Sequence, residues 1–505
     1  MKYIPTIGLE IHLHLKTKSK MFCSCANDDL AKPNTNICPV CTAQPGTLPV
    51  INQQAIEWTA LLGLALNCEL AQQFNFERKN YFYPDLPKGY QITSPTNPPC
   101  LGGYIKIAGS PRFAGEAGRK IRLNHIHLEE DTGRLLHSKD KKSSLVDLNR
   151  AGAPLVELVT EPDITNGWEA KTFCQELQLI LRALEIADAD MEKGQMRCEV
   201  NISVKPDKQK KLGTKVEIKN LNSFKAVEKS IDYEIKRQTE LLEQGKKIIQ
   251  ETRGWDENKQ QTFSQRTKEE AHDYRYFPEP DLPPITFDQD YYEKLKTQLP
   301  ELPITKRQRF IDQFGFTAED ARLLTSDKYL ADFVENVISE LKAWLITLET
   351  VEGSEEEIWQ NNKKKLMKLV GGWLTSELFK LMNASNTPAK DLKITPENFA
   401  EFITLIYQNK INSTAAQKIL KLMFAKGSDP SHIMEEENLG QIDDSEELEK
   451  IVDQIIKDNP DQVAKYKSGK TNVFQYFIGQ VMSATKGKAD PKIVQELLNK
   501  KLKED

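Results

Sequence analysis

From Ile7 to Leu15 the chain reads Ile-Gly-Leu-Glu-Ile-His-Leu-His-Leu, and no other stretch constrains the fold as tightly. Ile7, Leu9, Ile11, Leu13 and Leu15 fall on one face of an extended strand, and Glu10, His12 and His14 on the other. A period of two asks for a sheet with one dry and one wet face. Side chains sharing a face stand about 7 Å apart along the strand, so a carboxylate and an imidazole there can hold one ion or one substrate group. A plain solvated face fits the same pattern, and this run alone leaves both readings open.

Further alternating runs follow at Val146–Arg150, Arg197–Val204 and Val216–Asn220. In the second, Val200, Ile202 and Val204 define one face and Glu199, Asn201 and Ser203 the opposite one. Such polar faces can together line a cavity, although antiparallel sheets also keep one face wet without any site. Asn124–Asp131 packs His125, His127, Glu129, Glu130 and Asp131 into one short run. If extended, it puts Ile126, Leu128 and Glu130 on a common face. Carboxylates at that density repel unless a cation or several donors lie between them, and a hard divalent ion such as Mg²⁺ suits the oxygen-rich setting. The competing reading is an acidic turn ending at Gly133.

Helical starts are marked by capping residues. Asn166 precedes Glu169 at capping-box spacing, and Ser223 precedes Val227, Ile231 and Ile235 at helical spacing. The Pro-rich run Phe277–Pro284 can neither continue a helix nor join a central strand, and it approaches a domain boundary. Residues 1–292 form the first expected domain. Residues 293–394 read as a helical domain with an acidic break at Glu352–Glu357. A third domain, 395–505, opens with a capping Thr395 before Pro396, with further starts at Ser413, Asp444 and Asp490-Pro491. After Gln462 this last segment carries nine Lys against four acids, so it is the stretch best suited to meet phosphate. The expected fold class is α+β: an extended, mostly antiparallel sheet with helices, followed by helical domains.

Composition narrows the function classes. With 39% hydrophobic and 28% charged residues, the 505-residue chain is too apolar to be disordered and too polar for a membrane protein. The N-terminal run is broken by Glu10, His12 and His14 and makes no secretory segment, so the chain is expected in the cytoplasm, away from membranes. A net charge of −5 argues against strong non-specific binding of nucleic acid by the chain as a whole. Cys23-Ser-Cys25 and Cys38-Pro-Val-Cys41 form two close pairs joined by a short loop, a spacing that brings four thiolates to a tetrahedral, structural Zn²⁺. Cys68, Cys100, Cys174 and Cys198 lack such partners and read as small buried residues. Ser468-Gly-Lys-Thr471 is no phosphate loop, because the position of its first glycine is Ala464.

Several runs together resemble the B subunit family of tRNA-dependent amidotransferases. They include Gly8-Leu-Glu-Ile-His12, Arg78-Lys-Asn-Tyr-Phe-Tyr-Pro-Asp85, Pro87-Lys-Gly-Tyr-Gln91, His127-Leu-Glu-Glu-Asp131 and Val146–Glu157. Met196–Ser203, Glu217–Ser223, Glu251-Thr-Arg253 and Asp273–Asp281 continue the likeness, and the tail from Thr395 is similar to a YqeY-type helical domain.

The resemblance implies a cradle-shaped kinase and transamidation domain, a helical domain and the tail. It implies a carbon–nitrogen ligase that uses glutamine as amide donor. ATP phosphorylates the side-chain carboxylate of Glu-tRNA(Gln) or Asp-tRNA(Asn), and ammonia displaces the phosphate. The ammonia would come from an amidase A subunit, with a small C subunit completing a heterotrimer. By position, Glu10, His12, Glu130 and Glu157 are the implied Mg²⁺ ligands, and Cys23, Cys25, Cys38 and Cys41 the zinc ligands. Lys79, Lys88 and Arg150 join Glu10 and His12 as candidate catalytic residues, for contacts to phosphate. His14 departs from the family pattern and is left out of the ligand set. The stretch Trp344–Lys368 reads as an insertion. A non-catalytic, zinc-stabilised tRNA scaffold, a tRNA-modifying or nucleotidyl enzyme using the same carboxylates, and the archaeal-type E subunit are the rival readings.

Overall fold

The computed structural model describes residues 2–109, 118–138, 142–267, 273–346, 354–440, 445–468, 470, 472–485 and 488–504, with only the backbone for 266–267, 445–447 and 503–504. The chain divides into two compact units, Met1–Thr305 and Lys306–Asp505.

The first unit is built on one large sheet, 13-stranded among the described residues. Ten strands define its main path: β1 (Tyr3–His14), β2 (Glu77–Asn80), β3 (Tyr90–Thr93), β4 (Arg119–Glu130), β5 (Pro154–Thr160), β6 (Met196–Pro206), β7 (Val216–Leu221), β8 (Glu251–Asp256), β9 (Gln261–Thr267) and β10 (Phe277–Pro278). Their spatial order is β9-β8-β7-β6-β1-β5-β4-β3-β2-β10, and along this path only β7 and β8 run parallel. The expected alternation in β1 holds: Ile7, Leu9, Ile11 and Leu13 are buried, while Glu10, His12 and His14 stay half-buried. Register carries the same parity across the sheet, with His12 opposite both Glu157 and Arg197, Glu10 opposite Glu199, Glu157 opposite His127, and Glu129 opposite Thr93.

Three helices serve this sheet: α1 (Gln53–Ala65), α2 (Gly167–Ala183) and α3 (Phe224–Glu243). The cap of α2 is Asn166, whose side chain accepts from the Glu169 amide, and that of α3 is Ser223, accepting from Ala226. Phe173, Leu177 and Leu181 of α2 and Val227 and Ile231 of α3 join Ile7, Leu9, Ile11, Val200 and Ile202 in one core. The helices cross closely at Gly167, where a Cβ would stand 2.3 Å from the Glu228 carbonyl oxygen. One face of the sheet is thereby covered by helices, and the charged residues gather on the other, termed the open face because these helices leave it uncovered.

The first compact unit runs to Thr305, beyond the boundary expected near 292. The reason is local: the helix Gln289–Lys296 packs Tyr292 and Leu295 beside Ala60, and the Tyr292 hydroxyl donates to the Ala71 carbonyl. Nor does packing divide at 394/395 within the second unit. Phe399, Phe402 and Ile403, from the helix that Thr395 caps, share a core with Phe333, Val337 and Leu374. A separate small core holds Leu448, Val452, Phe477, Val481, Val494 and Leu498. A capping box of Ser354 and Glu357 opens the helix Glu355–Gly372; the start expected at Asp444, and Glu352 in the acidic break, lie outside the described residues. Among the described residues no helix is long and apolar enough to cross a membrane.

Candidate active site and metal centre

Three neighbouring strands, β1, β5 and β4, put their charged residues on the open face. Ligand atoms of Glu10, His12 and Glu157 lie within 4.8 Å of one another, and so do those of His127, Glu129 and Glu157. His12 Nε2 is 3.3 Å from Glu157 Oε2 and 3.6 Å from Glu129 Oε1. His127 Nε2 reaches the same Glu157 oxygen at 3.3 Å and Glu129 Oε2 at 3.7 Å.

The charges interact strongly. Burial, then the carboxylates of Glu157 and Glu199, push Glu10 up to about 7. Burial alone would raise Glu157, but hydrogen bonds from His12 and His127 hold it well below the ordinary range. Burial would likewise lower His127, yet Glu129 and Glu157 raise it to about 9. A half-buried acid that resists ionising beside two others is a setting that a divalent cation relieves. The donor set of Glu10, His12 and Glu157 therefore fits a hard ion.

Glu130 does not join this group. Alternation along β4 sends His127 and Glu129 to the open face and Glu130, with Ile126 and Leu128, to the other. There Glu130 accepts from Lys88 and from the Ile92 amide at 3.0 Å. The sequence-based placement of Glu130 among the ion's ligands is thus corrected to the far side of the sheet, and Lys88 goes with it. Lys79 stays on the open face. Its ammonium feels Glu129 and Glu157, lies 5.0 Å from the Tyr274 ring centroid, and among the described residues forms no ion pair.

A second charged knot adjoins the first. Asp131 accepts from Arg197 at 2.7 Å, lies 2.8 Å from His14 Nε2 and 3.2 Å from Arg150 Nε. Burial opposes its charge, but these three groups hold Asp131 well below the usual carboxylate range. Arg150 also donates to the carbonyls of Thr132 and Gly133, at 3.1 and 2.7 Å. The Nε of Arg197 is buried without an acceptor among the described residues.

The four cysteines come together as their spacing predicts, with all four sulfurs within 4.8 Å and none in a disulfide. The Cys38 amide donates to Cys41 Sγ at 3.2 Å. Lys20, fully buried, places Nζ 3.6 Å from Cys41 Sγ and 3.2 Å from the Leu148 carbonyl. A thiol bond from Cys23 brings Cys41 down to about 4, whereas burial takes Cys25 up to about 11. Four converging sulfurs with a buried ammonium beside them suit a cationic, thiophilic metal.

Residues 5–293 match the family model of the GatB/GatE catalytic domain, and residues 356–502 that of a GatB domain. The chain belongs to the GatB/GatE family. Among its relatives, the aspartyl/glutamyl-tRNA(Asn/Gln) amidotransferase B subunit of Caldanaerobacter subterraneus subsp. tengcongensis is 45% identical over 503 residues, 99% of this chain and 100% of the relative. The proteins of the same name from Persephonella marina and Dehalococcoides mccartyi are 43% and 44% identical, covering at least 99% of both chains in each case.

In this GatB/GatE-family chain His127, Glu129 and Asp131 belong to the acidic run whose oxygen-rich setting suits Mg²⁺, yet none of them is among the expected ligands or catalytic residues; the structure places all three at the site. The parity that places Ile126 and Leu128 in the core also places His127 and Glu129 opposite, so the signal for two of them was present. Arg197 had the weaker signal of sharing a face with Glu199.

Proposed function

We infer that this chain is the subunit of a tRNA-dependent amidotransferase that houses the activation of a tRNA-bound carboxylate. The observation that carries this reading is the meeting of Glu10, His12 and Glu157 on one face, with Lys79 beside them free of any ion pair among the described residues. The substrates are a misacylated tRNA, Glu-tRNA(Gln) or Asp-tRNA(Asn), and ATP. Phosphorylation converts an inert carboxylate into an acyl phosphate, and ammonia then forms the amide with loss of phosphate. The ammonia comes from the glutaminase activity of an amidase subunit, with a third small subunit in the assembly. The setting is the cytoplasm.

Glu10, His12 and Glu157 would hold a Mg²⁺ ion. When bound, such an ion offsets the negative charge of the phosphoryl group in transfer. His127 sits between the Glu157 and Glu129 carboxylates, at 3.3 and 3.7 Å, and its charge holds both in place. Lys79 supplies a half-buried, positioned cation for an anionic oxygen, and Arg197, whose buried Nε has no acceptor among the described residues, lies on the other side of His12. Asp131 orients Arg197 and Arg150, so both act from fixed positions. Cys23, Cys25, Cys38 and Cys41 would hold a structural Zn²⁺, which ties down the loop they enclose.

The test is amide formation on purified misacylated tRNA, with the assembled subunits, ATP, and either glutamine or ammonium. The reading requires ATP hydrolysis stimulated by misacylated tRNA and abolished in Glu10→Ala and His12→Ala, with tRNA affinity retained. Full activity in both variants would leave the chain a tRNA-binding scaffold.

A further inference from the structure

The chain from Asp273 to Glu279 runs along the edge of the sheet beside Lys79 and is pinned there at both ends. The Asn80 amide donates to the Tyr274 carbonyl at 3.0 Å, and Asn80 Nδ2 to the Arg275 carbonyl at 2.8 Å. At the other end Arg78 donates twice to Glu279, at 2.7 Å each. Between these ties Arg275 adopts a left-handed conformation, φ +49°, which is uncommon for a side chain of its size. The result is a fixed pair of rings: Tyr274 and Tyr276 meet edge to face at 6.1 Å, with Tyr81 a further 6.1 Å from Tyr274.

This pair lies at the acid cluster. Lys79 Nζ is 5.0 Å from the Tyr274 centroid, and the charges of Lys79, Glu157 and Glu129 all act at the Tyr276 hydroxyl. Tyr276 is nevertheless 43% exposed. A rigid, half-open aromatic surface next to a cation is what an unpaired base stacks on.

We propose that Tyr274 and Tyr276 form a stacking platform for the unpaired 3′-terminal base of the acylated tRNA, seating the side chain of its ester-linked amino acid at Glu10, His12 and Glu157. The proposal rests on the amidotransferase reading above. Only a handful of bonds separate the terminal ribose from the side-chain carboxylate, so the terminal base must sit close to the residues that act on that carboxylate. The half-open setting favours a polynucleotide end over the base of ATP. A tRNA is positioned by many contacts elsewhere and needs only one face for its last base, whereas a free mononucleotide depends on enclosure.

The experiment compares Tyr276→Ala and Tyr276→Phe in the assembled enzyme. The alanine variant is expected to raise KM for misacylated tRNA about ten-fold, with KM for ATP and for ammonium unchanged. The phenylalanine variant keeps the ring and is expected to behave as wild type, which separates stacking from misfolding. In a second arm the tRNA carries 2-aminopurine at its 3′ end. Its fluorescence should be quenched on binding the wild type and Tyr276→Phe, and not Tyr276→Ala. A raised KM for ATP alone, or equal quenching by all three proteins, overturns the proposal. Should the wild type form no amide at all, the amidotransferase reading falls, and the fluorescence arm still decides the platform.

Discussion

Glu157 Oε2 lies 3.3 Å from His12 Nε2 and 3.3 Å from His127 Nε2, so one carboxylate oxygen on β5 is gripped by an imidazole from the strand on each side. Glu157→Gln removes the charge that both rings depend on and keeps the shape. Its expected effect is a loss of tRNA-stimulated ATP hydrolysis on the order of 100-fold, with tRNA affinity unchanged. Steady-state ATPase assays paired with filter binding measure the two separately.

Asp131 sets an acid limit on the first unit. Its carboxyl is held below the unfolded value of about 3.9 by Arg197, His14 and Arg150. A depressed carboxylate contributes stability above its unfolded pKa and loses it as pH falls through the folded one. Urea midpoints measured from pH 7 down to pH 3 should therefore drop less steeply in Asp131→Asn than in wild type. At pH 7 the variant should be less stable by about 3 kcal/mol, because two arginines lose their partner.

Metal removal should act on the fold before it acts on chemistry. Purified chain is expected to carry one zinc, measured by plasma mass spectrometry, and Cys41→Ser to carry none. Thermal unfolding should fall by several degrees in that variant and in wild type treated with a strong chelator. Lys20→Met should weaken zinc retention while leaving all four sulfurs in place, since its ammonium sits 3.6 Å from Cys41 Sγ.

The helix crossing is tested by Gly167→Ala. Its new methyl group would meet the Glu228 carbonyl oxygen at 2.3 Å, so α2 and α3 must separate. A destabilisation of about 2 kcal/mol is expected from chemical denaturation, with little change in KM.

The tail lysines give a salt-dependence test. Lys465, Lys467 and Lys470 are exposed, whereas Lys501 is occupied by Glu449 and Asp453 at 2.7 and 3.1 Å. Changing the first three to Gln should reduce the slope of log affinity for tRNA against log salt by about 0.9 for each phosphate no longer neutralised. An unchanged slope would remove this segment from the interface.

How much of this was legible in the sequence varies with the range of the interaction. The faces of β1 and β6, the caps at Asn166, Ser223 and Thr395, and the four-cysteine cluster were all readable, because each is set by local spacing. The neighbours of Glu130 were not. Its ion pair with Lys88 is fixed by how β3 and β4 meet, and no local pattern encodes that pairing. The same limit applies to Asp131, whose partners come from residues 14, 150 and 197. The first expected boundary, at 292/293, cuts through the helix Gln289–Lys296, because its amphipathic face carries no sign of which core it joins.

The strict parity of β4 also limits how this segment can change over time. One residue lost between Arg119 and Glu130 would carry Leu128 into the charged cluster and His127 into the apolar core in a single step. Tolerated insertions and deletions should therefore collect in the turns, leaving the strand itself frozen in length however freely its exposed letters are rewritten.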